Sequence, residues 1–203
     1  MKRTMEIIDR LLSPTPCIIY VTGVMYSGKT TLLYNVIKIL QEKLTTADET
    51  IVCDSANTRG TERDLYPMLS CLPPPHKTQI NFHSSIDLSK VYNSVVIIDE
   101  AHLFGVRGQA ERLTANIITA KQNGCKILIS GLLLDCYNNY DIFYVVRNIL
   151  ALADVCYNLK SRKPCAMCGH MDNVIYTRNT ANLDTTIGDH YENICFQCAR
   201  IKK

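Results

Sequence analysis

The sequence predicts an α/β fold, a parallel sheet flanked by helices, with a small cysteine-bearing unit at its C-terminal end. Three observations predict it. Short β-branched apolar runs alternate with segments whose apolar residues recur at helical spacing. The strand-like runs are apolar throughout, as in strands covered on both faces of a parallel sheet. After about Asn158 the composition shifts to Cys, Gly, Asn and Thr. The expected division is therefore an α/β domain over residues 1–158 and a metal-dependent unit over residues 159–203.

The elements follow in order. The N-terminal segment reads as a short amphipathic helix ending near Ser13. Residues 17–22 (CIIYVT), bounded by Pro16 and Gly23, read as a buried strand. Residues 30–43 carry Leu33, Val36, Ile37 and Leu40 on one helical face. Residues 51–53 predict a second strand, whereas residues 59–88 lose the pattern, and Pro73, Pro74 and Pro75 mark an irregular connection. Strands are expected at residues 95–98 (VVII) and 126–130 (KILIS), and helices over 109–122 and 141–153.

Composition narrows the classes of function. The 203 residues suffice for one domain core and a small appendage, and 47% hydrophobic with 20% charged residues is ordinary globular composition. A formal net charge of +3 gives no electrostatic footprint for nucleic acid or a membrane surface. No apolar run approaches the roughly 20 residues needed to cross a bilayer. The N-terminus has a basic start, but Glu6, Asp9 and Arg10 interrupt it, so it does not read as a signal peptide. A cytoplasmic location is the expectation. Of ten cysteines, four form two C-x-x-C pairs. The other six (Cys17, Cys53, Cys71, Cys125, Cys136 and Cys156) lie mostly beside aliphatic residues and read as small buried hydrophobes rather than a disulfide framework.

Gly23-Val24-Met25-Tyr26-Ser27-Gly28-Lys29-Thr30 matches G-x-x-x-x-G-K-[ST] between a strand and a helix. Glycines let such a loop wrap its N–H groups around phosphate, so ATP is the expected ligand. Lys29 would meet the β- and γ-phosphates and the Thr30 hydroxyl would hold Mg²⁺. The strand at 95–98 ends in Asp99 and Glu100. Ligands of open parallel sheets lie beyond the strands' carboxyl ends, which aims Asp99 at the metal and Glu100 at the transferred phosphoryl group.

Cys165-x-x-Cys168 and Cys195-x-x-Cys198 together supply four thiolates, the donor set of a closed structural Zn²⁺ site. A redox role would place a C-x-x-C near a βαβ start, which is not where these pairs lie. His170 and His190 stand nearby but are not needed as ligands.

Asp99-Glu100-Ala101-His102 also spells D-E-A-H, which invites a nucleic-acid-dependent ATPase reading. Such motors use two lobes, and one P-loop in 203 residues supplies one. A nucleotide-binding regulator without kinase activity is a further alternative.

Taken in order, the P-loop, Asn57-Thr58-Arg59, the stretch I-I-D-E-A-H-L-F, S-G-L-L-L-D, C-A-M-C and Y-E-N-I-C-F-Q-C resemble the type II thymidine kinases, the cellular and large-DNA-virus enzymes with a zinc-bound lasso. The resemblance runs from about Cys17 to Cys198, and Met25 and Tyr191 are its most telling details. It implies phosphorylation of thymidine, and of deoxyuridine, at the expense of ATP. It also implies Mg²⁺ and structural Zn²⁺ as cofactors, a homotetramer, and neither a nucleic-acid nor a membrane partner. Position by position, it implies Glu100 as base toward the nucleoside 5′-hydroxyl, Asp99 as a Mg²⁺ contact and Arg59 beside the transferred phosphate. Met25, Leu134, Thr177 and Tyr191 match residues around the base, Phe143 matches an aromatic that stacks on it, and the segment between the C-x-x-C pairs matches the lasso. Departures from the family pattern fall on the nucleoside side. Asn57 stands where an acid is usual, and His102 and Leu103 replace glutamine and phenylalanine. The 131–135 stretch is longer, which leaves Leu132 and Leu134 as alternatives, and residues 186–191 form a shortened lasso.

Overall fold

The computed structural model describes residues 2–44, 51–55, 80–83, 87–106, 108–135, 141–179 and 191–201. Six parallel strands form the main sheet in the order β3-β2-β4-β5-β1-β6. These are β1 (Ile18–Gly23), β2 (Ile51–Ser55), β3 (Ile80–His83), β4 (Val95–Asp99), β5 (Lys126–Gly131) and β6 (Val155–Leu159). The helices are α1 (Lys2–Leu11), α2 (Lys29–Lys43), α3 (His102–Val106), α4 (Ala110–Gln122), α5 (Tyr144–Leu152) and α6 (Phe196–Ile201).

Alternation along the central strands divides the core. Ile19 and Val21 of β1, Val95 and Ile97 of β4 and Leu128 of β5 pack with α1 and α2 on one face. Ile18 and Tyr20, Val96 and Ile98, and Ile127 and Ile129 pack on the other face with Leu113 and Ile117 of α4 and Val145 and Ile149 of α5. With both faces covered, β1 and β4 are buried at every position.

Several sequence expectations change here. The stretch over 59–88, read as irregular, contains β3, which pairs in parallel with β2 from Ile51↔Ile80 to Asp54↔His83. The helix expected over 141–153 starts three residues late, because Ile142 makes an isolated antiparallel bridge with Leu134 before α5 begins. The sheet also gains β6, an edge strand whose half-buried and exposed residues alternate. That alternation leaves Cys156 exposed, contrary to the buried reading, while Cys125 is buried as expected and Cys17 half-buried. Cys53, Cys71 and Cys136 lie outside the residues whose side chains are described.

Beyond β6, strands β7 (Val174–Asn179) and β8 (Tyr191–Cys195) form a separate antiparallel pair. Val174 and Ile194 pack with Cys165, Cys195 and Cys198 into a small core of their own. Among the described residues no helix is long and apolar enough to cross a membrane.

Candidate active site

The loop from Gly23 to Thr30 joins β1 to α2. Gly23 is required by close approach: a Cβ there would lie 2.5 Å from Ser27 Oγ and 2.9 Å from the Leu159 carbonyl. Gly28, at φ 92°, takes a left-handed conformation that glycine adopts without cost. It also serves as N-cap of α2 without a side-chain acceptor, which leaves the first-turn N–H groups for an anion. Tyr26, at φ 59°, holds a similar conformation despite its side chain, a strain of order 1–3 kcal/mol. Lys29 is buried, and its Nζ donates to the carbonyls of Gly23 and Val24, each at 3.1 Å.

Since β5 lies between β1 and β4, the loop and the acids meet over its end. Thr30 Oγ1 donates to Asp99 Oδ2 at 3.0 Å, and Ser130, at the end of β5, donates to Asp99 Oδ1. Burial first, and then the neighbouring Glu100, push the Asp99 carboxyl up to about 6, against the hydrogen bonds from Ser130 and Thr30 and the charge of Lys29. A folded-state value above the ordinary carboxylate range favours the protonated form in the fold. The stability this gives is therefore full below about pH 4 and is lost as pH rises through about 6. A cation beside Asp99 would offset that loss. The donor set, a hydroxyl and a carboxylate, is hard oxygen and fits Mg²⁺.

Glu100 sits on a left-handed turn at φ 55°, which swings the chain from β4 into α3. The turn is fastened where the Ala101 N–H donates to the Ser130 carbonyl at 2.8 Å, an approach that Gly131 permits by lacking a side chain. Glu100 is buried, and its Oε2 lies 3.4 Å from His102 Nδ1. Nδ1 accepts the Leu132 N–H at 3.2 Å and so has no proton to give the carboxylate. Oε2 is thus a buried carboxylate oxygen without a hydrogen-bond partner among the described residues. Such an oxygen is costly to keep dry, and an incoming hydroxyl would satisfy it.

The five residues matched to the nucleoside gather beside the loop. Met25 and Phe143 are buried in the α4–α5 face of the core, and Tyr191 packs against it. The Phe143 ring lies 5.0 Å from that of His102. Leu134 and Thr177 line a cleft of about 380 Å³ between the ends of β1 and β5 and the β7–β8 unit. Leu132 lines it too, so both alternatives touch the same space. Arg59, Asn57 and residues 186–190 lie outside the described residues.

The β7–β8 pair is fastened to the phosphate loop through Met25. The Met25 N–H donates to Thr177 Oγ1 at 3.1 Å, and its carbonyl accepts from Asn193 Nδ2 at 2.8 Å. Asn193 also donates to Ser161 Oγ at 3.1 Å. Sequence reading missed Ser130 and Asn193. Ser130 had one local signal, a hydroxyl closing an apolar strand, and Asn193 had none.

All four paired cysteines converge, with their sulfurs within 4.8 Å of one another. Cys168 and Cys195 Sγ are 3.7 Å apart, and tetrahedral ligation with Zn–S of about 2.3 Å implies about 3.8 Å. Burial opposes ionisation of Cys165, yet N–H groups of Cys195, Cys168 and Met167 hold its thiol down at about 6. Cys198 is pushed up to about 12, first by its hydrogen bond with Cys168 and then by burial. Four sulfurs this close ionise together only around a cation, and the geometry and donor type fit zinc.

A family model for thymidine kinase matches residues 17–199. The chain belongs to the thymidine kinase family. The matched stretch takes in the loop from Gly23 to Thr30 and all four paired cysteines. No curated protein matches the sequence. Among solved structures, the large terminase of the thermophilic bacteriophage D6E aligns over 78% of this chain and 45% of its own, at 12% identity and TM-score 0.50. Domain III of the Thermotoga maritima replication initiation protein DnaA aligns over 78% of this chain and 60% of its own, at 16% identity and TM-score 0.45. The chain thus spans less than half of the terminase chain, and the likeness shows the shared P-loop fold alone.

Proposed function

We propose that this member of the family transfers the γ-phosphate of ATP to the 5′-hydroxyl of thymidine, and less efficiently to that of deoxyuridine. Glu100 carries the reading. It is a buried carboxylate, one oxygen of which has no hydrogen-bond partner among the described residues, and it directly follows Asp99, which Thr30 of the loop bonds. A nucleoside hydroxyl placed there would donate to Oε2 and lose its proton to it as the phosphoryl group arrives. Lys29, released from the Gly23 and Val24 carbonyls, and the loop N–H groups would hold the phosphates. Thr30 and Asp99 would hold Mg²⁺, which would supply charge neutralisation. Arg59, matched by the family resemblance to an arginine near the transferred phosphate, would add a cation there. The base would sit among Met25, Leu134, Phe143, Thr177 and Tyr191, with its polar edge read by main chain between the C-x-x-C pairs. A homotetramer in the cytoplasm accompanies this reading.

A panel of nucleosides with ATP and the purified protein tests it. Thymidine is expected to give the highest kcat/KM. Loss of one methyl from an apolar pocket costs about 1–3 kcal/mol, which leaves deoxyuridine usable. On this reading deoxycytidine would place an amino group where a main-chain donor is expected, and the unpaired groups should lower kcat/KM by about 10⁴-fold. A preference for deoxycytidine or a purine would keep the kinase and overturn thymidine as its acceptor.

A further inference from the structure

The segment from Leu159 to Cys165 runs across the phosphate loop on its way from β6 to the cysteine cluster, and its shape is fixed. Ser161 Oγ donates to the Lys163 carbonyl at 2.6 Å and accepts the Lys163 N–H at 3.1 Å and the Asn193 amide at 3.1 Å. Two side chains within this clamp, those of Arg162 and Lys163, reach the loop. Lys163 Nζ lies 3.8 Å from the centre of the Tyr26 ring, a cation–π contact. The Arg162 guanidinium covers Gly28, the glycine that precedes Lys29. A Cβ added at Gly28 would lie 2.5 Å from Arg162 Cζ. Arg162 has no hydrogen-bond or ion-pair partner among the described residues, and its side chain is exposed. An extended guanidinium held over a phosphate loop, with all its donors unused, has the charge and planar fork that suit phosphate oxygens.

We propose that Arg162 is a phosphate-contacting residue of the nucleotide site, donating to the polyphosphate chain of bound ATP, with Lys163 adding charge at the loop's other edge. This rests on the reading of the P-loop as a nucleoside triphosphate site. It adds a cation from the strand-to-cysteine connection to Lys29, so the nucleotide is grasped from both sides of the loop. The anchor at Ser161 and Asn193 couples that cation to the folding of the cysteine unit.

Calorimetric titration of the zinc-loaded protein with Mg·ATP, ADP and AMP tests it, with wild type, Arg162→Ala and Arg162→Lys compared. Charged hydrogen bonds to phosphate of this kind typically change affinity by about tenfold or more. Arg162→Ala is expected to weaken ATP and ADP by about that factor, AMP by much less, and to flatten the salt dependence of ATP binding. Arg162→Lys, which keeps the charge but not the planar fork, should recover only part of the affinity. The ligand-free melting temperature should be unchanged, since the side chain is exposed and unpaired. Unchanged ATP affinity in Arg162→Ala overturns the proposal. So does an equal loss for ATP and AMP, which is the result of a general disturbance of the connection. A wild-type chain that binds no ATP would instead fail the nucleotide reading beneath it.

Discussion

Replacing Lys29 by alanine is expected to lower phosphoryl transfer by at least about 10²–10³-fold, the effect typical of deleting one preorganised charge or donor at a transition state. Lys29 Nζ donates to the carbonyls of Gly23 and Val24, groups of its own loop, and the residue is buried at the start of α2. Truncation should therefore leave the sheet and helices intact, and the melting temperature should move little. ATP affinity should fall as well, since the ammonium would face both phosphates in ground and transition states. Steady-state kinetics and thermal melts on the same preparation separate the two effects. Near-normal turnover in Lys29→Ala would remove the loop from the chemistry.

Cys165→Ser is the second substitution with a large expected effect. Cys165 is buried at the centre of the small β7–β8 core, and its sulfur accepts the Cys195 N–H at 3.3 Å. Metal binding and folding of so small a unit are one equilibrium, worth about 10–16 kcal/mol in isolated zinc-binding peptides. Metal analysis should find about one zinc per wild-type chain and almost none in the variant. The consequence extends beyond the cysteines. Thr177 and Asn193 hold both the N–H and the carbonyl of Met25, so unfolding β7 and β8 frees the phosphate loop and removes the Thr177 wall of the cleft. Activity is therefore expected to fall together with zinc content. A zinc-free variant with full activity and unchanged melting would sink the structural role of the cluster.

What was legible in the sequence was local. The phosphate loop announced itself because its glycines, Lys29 and Thr30 fall within one short stretch and their conformations are set by neighbours in the chain. The cysteine pairs did so because tight turns fix their spacing. The buried strands β1 and β4 were legible as unbroken apolar runs. β3 was not, because four residues beside a proline-rich stretch carry too little pattern, and pairing with β2 decides their conformation. β6 was missed because an edge strand shows alternation, where continuous apolar runs marked its neighbours. The site's long-range partners were also beyond reach. Ser130 meets Asp99 from 31 positions away, and Asn193 meets Met25 from 168. No periodicity encodes such contacts. His102 was noted as the end of the D-E-A-H stretch and as a departure from the family pattern. The fold gives it a job, since its Nδ1 is occupied by the Leu132 N–H and leaves Glu100 Oε2 open.

The fate of the γ-phosphate is the most direct test of the account. Purified protein would be given γ-labelled ATP with thymidine, with and without single-stranded DNA or RNA, and the labelled products separated. The wild-type chain should place label in thymidine 5′-monophosphate, unaffected by nucleic acid. Glu100→Gln should do the same about 10²-fold or more slowly, as loss of a general base requires. Label found only in inorganic phosphate, and released faster when nucleic acid is added, would contradict the account and favour a nucleic-acid-dependent ATPase.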